Sequence, residues 1–152
     1  MITAWRIVSA KRVETAFSGE GARVNGGRWN KKGFAVVYTS SSISLASMEL
    51  LVNLPAPSLL NQYATIAVRF DEKLMEELDK LPDDWDSRPP SSATKTIGDQ
   101  WISEKRSTVF KVPSVVVPAE FNYLLNPGHP DWRLVEIGKP EVYRFDPRLA
   151  RK

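Results

Sequence analysis

Between Gly21 and Leu54, the stretch GARVNGGRWNKKGFAVVYTSSSISLASMELLVNL holds two arginines, a Gly-Gly pair, a tyrosine, a serine/threonine run and one isolated glutamate. Arginine grips a diphosphate through two parallel N–H donors. The face of a tyrosine stacks on an aromatic ring. A carboxylate stabilises an oxocarbenium-like ribosyl cation and holds sugar hydroxyls, as in glycoside cleavage. With serine, the set suits a phosphate-bearing substrate whose reacting centre becomes cationic. No metal is required when the leaving group is a neutral pyridine. The combination points to the N-glycosidic bond of a nicotinamide dinucleotide.

Glu49 is the odd member of the stretch. Leu45, Met48, Glu49 and Val52 fall at i, i+3, i+4 and i+7 of an expected helix and share one face. On a core stripe, an ionised carboxylate costs several kcal/mol unless a cation or hydrogen-bond donors meet it. Arg23 and Arg28, just upstream, are the expected cations. The alternative is a glutamate at the helix edge that reaches solvent.

Other chemistries are excluded by what the chain lacks. It has one histidine, so a two-histidine ribonuclease mechanism is impossible. His129 lies between Gly128 and Pro130, where a structural turn histidine is expected rather than a pH switch. There is no HExxH, EF-hand loop or Walker A sequence, and the glycines do not form a dinucleotide fingerprint after a strand. One histidine leaves a Ser/His/Asp triad open, but no serine sits in a nucleophile-elbow sequence. Cysteine is absent, which removes disulfides and thiolate metal sites.

The elements that must position these residues read as follows. ITAWRIV is a first strand, and Lys11 to Phe17 a short helical turn. Ser18 to Asn30 is expected to be a loop, with Gly26 and Gly27 allowing close backbone approach to a ligand or simply a turn. Ala35 to Tyr38 is a strand, and Thr39 to Ser42 caps the helix that carries Glu49, which Pro55 and Pro57 end. Tyr63 to Phe70 is a strand, and Asp71 caps a short acidic helix, EKLMEELDKL. Pro82 to Ser92 is a loop. Ala93 to Lys105 is a helix burying Ile97, Trp101 and Ile102. Val109 to Val112 and Val115 to Val117 form an extended pair broken at Pro113. NYLLNPGHPDW is turn-rich, and Val135 to Phe145 supplies one or two last strands before a charged tail. About six strands with three helices, not alternating as βαβ units, read as α+β.

The 152 residues suit one domain with a real core, and 42% hydrophobic with 26% charged residues is ordinary for a globular chain. No apolar run approaches the roughly 20 residues of a membrane span, and the N-terminus does not read as a signal peptide, so a cytoplasmic protein without a membrane role is expected. The net charge of +3 is unevenly placed. Residues 1–33 carry seven Lys/Arg against Glu14 and Glu20, a net of +5, and residues 71–86 carry a net of −6. The basic end suits phosphates and the acidic stretch a solvated helix face.

GARVNGGRWNKKG, VVYTSSSISLASMELL, KVPSVVVP and NYLLNPGHPDW, in this order and spanning most of the chain, resemble the RES-domain toxins of bacterial RES–Xre toxin–antitoxin pairs. The family is named for an Arg, a Glu and a Ser. These match Arg23 or Arg28, Glu49 and Ser114, and Tyr38 matches the tyrosine at the strand end. The resemblance implies a compact α+β domain similar to the ADP-ribosyltransferase fold, with a split β-core around an NAD cleft. It implies NAD consumed as substrate rather than held as cofactor, by hydrolysis or phosphorolysis, with protein ADP-ribosylation as the neighbouring activity. It implies an Xre-type helix-turn-helix antitoxin as partner, with a homo-oligomer within that complex, and no direct nucleic-acid ligand.

On that basis Glu49, Arg28 and Tyr38 are the expected catalytic residues, with no metal. Arg23 and Arg28 would bind the diphosphate, Tyr38 would stack on nicotinamide or its ribose, and Glu49 would stabilise the cation. Ser114 would bond the nicotinamide amide or a ribose oxygen, and Asn122 would support the loop. Structural readings stand beside these: an Arg28–Glu49 ion pair, Trp29 and Trp132 in the core, and Ser114 turning its strand. A non-catalytic nucleotide- or protein-binding module is the rival from another class.

Overall fold

Strand β1 (Ile2–Ser9) runs antiparallel to β3 (Tyr63–Phe70) over its whole length, from Ile2 opposite Phe70 to Ser9 opposite Tyr63. The alternating, β-rich sequences of both segments favour this pairing. The computed structural model describes residues 1–151; Lys152 lies outside the described residues. On its other side, β1 meets β2 (Val37–Ser40) at a single residue pair, Trp5 with Ser40. The two strands then part, and a cleft lies along this parting.

β2 continues into β6 (Phe121–Leu125) and then β5 (Val109–Pro113), both antiparallel, and β4 (Met75–Glu77) joins β5 in parallel. At the far edge β3 pairs with two short strands, β7 (Glu136–Ile137) and β8 (Glu141–Tyr143). The sheet order is therefore β4-β5-β6-β2-β1-β3-β7, with β8 also on β3. Its two halves hang together at the Trp5–Ser40 pair, which is the split expected of the β-core. Helices α1 (Glu20–Asn25), α2 (Ile43–Leu51) and α3 (Ser92–Glu104) flank it.

Three apolar clusters hold the halves. Ala4, Val37, Val68, Phe70, Val109, Tyr123 and Leu125 bridge the split on one face. Trp29, Val36, Trp101, Phe110, Val112 and Leu124 pack α3 against β5 and β6, with the Trp101 and Phe110 rings stacked at 5.3 Å. Ile7, Ala46, Leu59, Tyr63 and Phe145 seat α2 on β1. Burial of such side chains contributes about 1.5–3 kcal/mol each.

Several segments differ from expectation. EKLMEELDKL is a 3-10 turn at Glu72–Leu74, capped by Asp71 as expected, followed by strand β4 rather than a helix. Leu74 and Met75 are drawn into the first cluster, while Glu76 and Glu77 pair with Arg106 and Lys111. The acids thus mark a strand edge answered by cations. The loop from Ser18 contains α1, closed by Gly26 at φ 73°. Val115–Val117 is a turn and not a strand, because Pro113 ends the β5 ladder and Ser114 captures the next amides. The NYLL half of NYLLNPGHPDW is the interior strand β6, and turn structure begins only at Asn126. The first of these strands after the arginines also sits two residues later than Ala35 to Tyr38.

Candidate active site

Ser42 caps α2 by accepting from the Leu45 amide at 3.0 Å, and the helix carries Glu49 to the mouth of the parted sheet. The stripe with Met48 and Val52 is not core: those two are 43% and 58% exposed, and Glu49 is half-buried. The helix instead buries Leu45, Ala46 and Ser47. No arginine pairs with Glu49 either. Arg23 is exposed and bonded to Glu20. Arg28 donates from Nη1 to the Trp85 and Ser87 carbonyls at 3.0 and 2.8 Å.

Neutral donors meet the carboxylate instead. Ser114 Oγ donates to Glu49 Oε1 at 2.6 Å, and Asn122 Nδ2 donates to the same oxygen at 2.8 Å. Both donors are themselves held. Ser114, fully buried, accepts from the Val116 and Val117 amides at 3.1 and 3.0 Å. Ser40 Oγ donates to Asn122 Oδ1 at 2.8 Å, which fixes the amide so that its NH₂ faces Glu49. Among the described residues Oε2 has no partner. One oxygen is thus anchored and the other left for a ligand. Hydrogen bonds to a charged group are worth about 1.5–3 kcal/mol each, enough to hold the carboxylate without a cation.

The other wall is the GGRWN turn. Tyr38 accepts from the Trp29 amide at 3.1 Å and donates to Asn30 Oδ1 at 2.6 Å, and burial pushes its phenol pKa well above the ordinary value. Its hydroxyl is therefore filled, and its ring is what it offers the cleft. A Cβ on Gly27 would lie 2.6 Å from the Tyr38 hydroxyl, so glycine is required for this approach. Helix α3 backs the turn. Thr94 Oγ1 donates to Arg28 O, Lys95 Nζ to Gly27 O and the Lys31 amide to Asp99 Oδ1. Gly98 lies so close that a Cβ there would sit 1.6 Å from Trp29 O. Desolvation lowers the Arg28 pKa, with the neighbouring Arg88 charge adding to it and Glu49 and Asp86 opposing.

Together these residues line a cleft of about 980 Å³ running along the parted strands. Arg28, Tyr38, Glu49 and Asn122 are among its lining residues, with Arg6, Ser40, Arg88 and Lys95. Arg23 and Ser114 are not: one faces solvent with Glu20, the other lies behind Glu49. Arg6 and Ser40 are site residues that sequence reasoning misses. The signal for Arg6 is a lone cation inside an otherwise apolar first strand. For Ser40 there is none, since its partner lies 82 residues away. Trp29 is core, and His129 caps a 3-10 turn through Nδ1, away from the cleft. Among the described residues no cluster of His, Cys, Asp or Glu could hold a metal, and no helix is long and apolar enough to cross a membrane.

Fold and site define a cleft in a parted sheet, with one anchored carboxylate lining it together with arginine and tyrosine. The RES domain family model matches residues 3–146, and the chain belongs to that family. It is 37% identical over 156 residues to the "Prs ADP-ribosylating toxin" of Sphingobium sp., covering 97% of this chain and 96% of that protein. It is 36% identical over 150 residues to "Toxin Res" of Photorhabdus laumondii, with the same shares covered. It is 35% identical over 148 residues to "Toxin Res" of Yersinia enterocolitica, covering 95% and 97%. A chain of the M. tuberculosis MbcT-MbcA toxin-antitoxin complex superposes with a TM-score of 0.78 at 18% identity, over 99% of this chain and 87% of that one. The α+β fold expected from the sequence is the fold observed.

Proposed function

We propose that this chain is the toxin of a toxin–antitoxin pair, and that it cleaves the N-glycosidic bond between nicotinamide and ribose in NAD. The observation that carries the reading is Glu49: Oε1 held by Ser114 and Asn122, Oε2 free, on the wall of a cleft that also presents Arg28 and Tyr38. The names of its toxin relatives support the same reading.

In this reading the ring of Tyr38 packs on the nicotinamide end and Arg28 meets the diphosphate. Glu49 Oε2 takes a ribose hydroxyl and stabilises the positive charge that develops at the anomeric carbon. The C–N bond breaks with its electron pair going to nitrogen, so nicotinamide leaves as a neutral pyridine. Water or phosphate then bonds to the anomeric carbon and gives up its proton, yielding ADP-ribose or its 1-phosphate. Removing one preorganised group of this kind costs about 10²–10³-fold in rate. NAD is substrate here, not cofactor, and a cytoplasmic site of action goes with it.

A second reading keeps the cleft and changes the acceptor to a protein side chain. The Sphingobium relative is named an ADP-ribosylating toxin, which favours it. The partner that neutralises either activity is an antitoxin of the helix-turn-helix Xre type, and the toxin self-associates within that complex. Pure protein incubated with NAD, with and without phosphate, separates the readings. ADP-ribose or its 1-phosphate supports cleavage; intact NAD until a protein acceptor is added supports transfer; no consumption under any condition overturns both.

A further inference from the structure

Three cations converge on the GGRWN turn. Arg28 Nη1 is held by the Trp85 and Ser87 carbonyls, and Arg88 follows in the same loop before α3. Lys95, in the first turn of α3, donates from Nζ to Gly27 O at 2.8 Å. Arg28, Arg88 and Lys95 all line the cleft. Among the described residues no carboxylate forms an ion pair with any of the three. Asp99, one helical turn on from Lys95, is taken by the Lys31 amide instead. Desolvation first and the Arg88 charge second lower the Arg28 pKa, so the two guanidinium groups feel each other, with Glu49 and Asp86 opposing from a distance.

Like charges gathered without a counterion repel, and an anion placed among them turns the repulsion into attraction. In the NAD reading above Arg28 meets the diphosphate. Arg88 is then left with no partner among the described residues, and Lys95 uses one of the three donors of an ammonium. We propose that Arg88 and Lys95 form a second phosphate subsite beside Arg28, and that the cleft takes NADP, the dinucleotide with an added phosphate on its adenosine ribose, as a further substrate. This rests on the NAD reading, because the same bond is cleaved. The C–N electron pair goes to the pyridine nitrogen, and water bonds to the anomeric carbon and gives up a proton. Both cations belong to the GGRWN wall and not to the wall that carries Glu49, so the added phosphate is kept from the carboxylate. An arginine is a known partner for that phosphate in other dinucleotide sites.

The test measures nicotinamide release from NAD and from NADP by wild type, Arg88→Gln and the double variant Arg88→Gln/Lys95→Gln. Wild type should cleave both. Arg88 is exposed, so its loss should lower kcat/KM for NADP several-fold, the scale of an exposed charge pair. Lys95 is half-buried, and the double variant should lose about tenfold or more, through KM, with NAD nearly unchanged. A wild type that cleaves NAD and not NADP overturns the proposal. So does a double variant that keeps NADP cleavage, or that loses NAD and NADP equally. Calorimetric binding of AMP and of adenosine 2′,5′-bisphosphate reads the subsite without the reaction. The bisphosphate should bind wild type more tightly than AMP and lose that advantage in the double variant; equal affinities in wild type overturn the subsite. If neither dinucleotide releases nicotinamide, the NAD reading falls, and the binding comparison still decides the subsite. Should the double variant not fold, Arg88→Gln alone is read in its place.

Discussion

Ser114 donates to Glu49 at 2.6 Å while its own oxygen accepts two amides of the following turn. The serine's capacity is filled by the protein. It aims the carboxylate and does not reach the cleft, so its effect on a ligand passes through Glu49.

That relationship gives Ser114→Ala a distinct signature. Two backbone amides lose their acceptor, and Glu49 keeps only Asn122. Stability should fall by about 1–3 kcal/mol, read in a denaturant titration. NAD turnover should fall about tenfold or more through kcat, the scale of one charge-assisted hydrogen bond. A raised Michaelis constant with unchanged kcat and stability would instead put the hydroxyl on the substrate.

Arg28→Lys should be a poor replacement. An ammonium cannot bridge the Trp85 and Ser87 carbonyls and also present a bidentate fork to the cleft. The Michaelis constant for NAD should rise by about tenfold or more, and proteolysis between residues 82 and 90 should quicken. Kinetics and cleavage mapping read the two effects separately.

The backing of the GGRWN turn is tested at two glycines. Gly98→Ala sets a Cβ against backbone, at 1.6 Å from Trp29 O, so α3 must shift; a loss of about 3 kcal/mol or more is expected in melting experiments. Gly27→Ala meets the Tyr38 hydroxyl at 2.6 Å, a side-chain end that can move. It should melt nearer wild type and yet lose activity, because the Tyr38 ring is displaced from its place in the cleft.

Expression alone should lower cellular NAD before growth stops, and co-expression of the antitoxin should prevent both. Growth arrest at unchanged NAD would favour modification of a protein target.

Much of this architecture is legible in the sequence, for reasons that differ by segment. Tyr63–Phe70 is read to the residue because β-branched and aromatic side chains alternate between clear breakers. Ser42 is legible as a cap because capping chemistry is local. Glu49 stands out by its isolation, but its surroundings do not: the donors come from residues 65 and 73 positions later, and periodicity is blind to that distance. The acidic segment at Glu72–Glu77 reads as helix because strand β4 exists only through pairing with β5, a tertiary effect that overrides local propensity. Phe121–Leu125 is hidden by the turn residues that follow it.

The most direct measurement compares wild type and Glu49→Gln for NAD cleavage and for melting temperature. The amide keeps an acceptor oxygen for Ser114 and Asn122 but lacks the negative charge. The account predicts similar melting, and release of nicotinamide slowed by about 10²–10³-fold or more. Equal nicotinamide release by the two proteins, both folded, would contradict it.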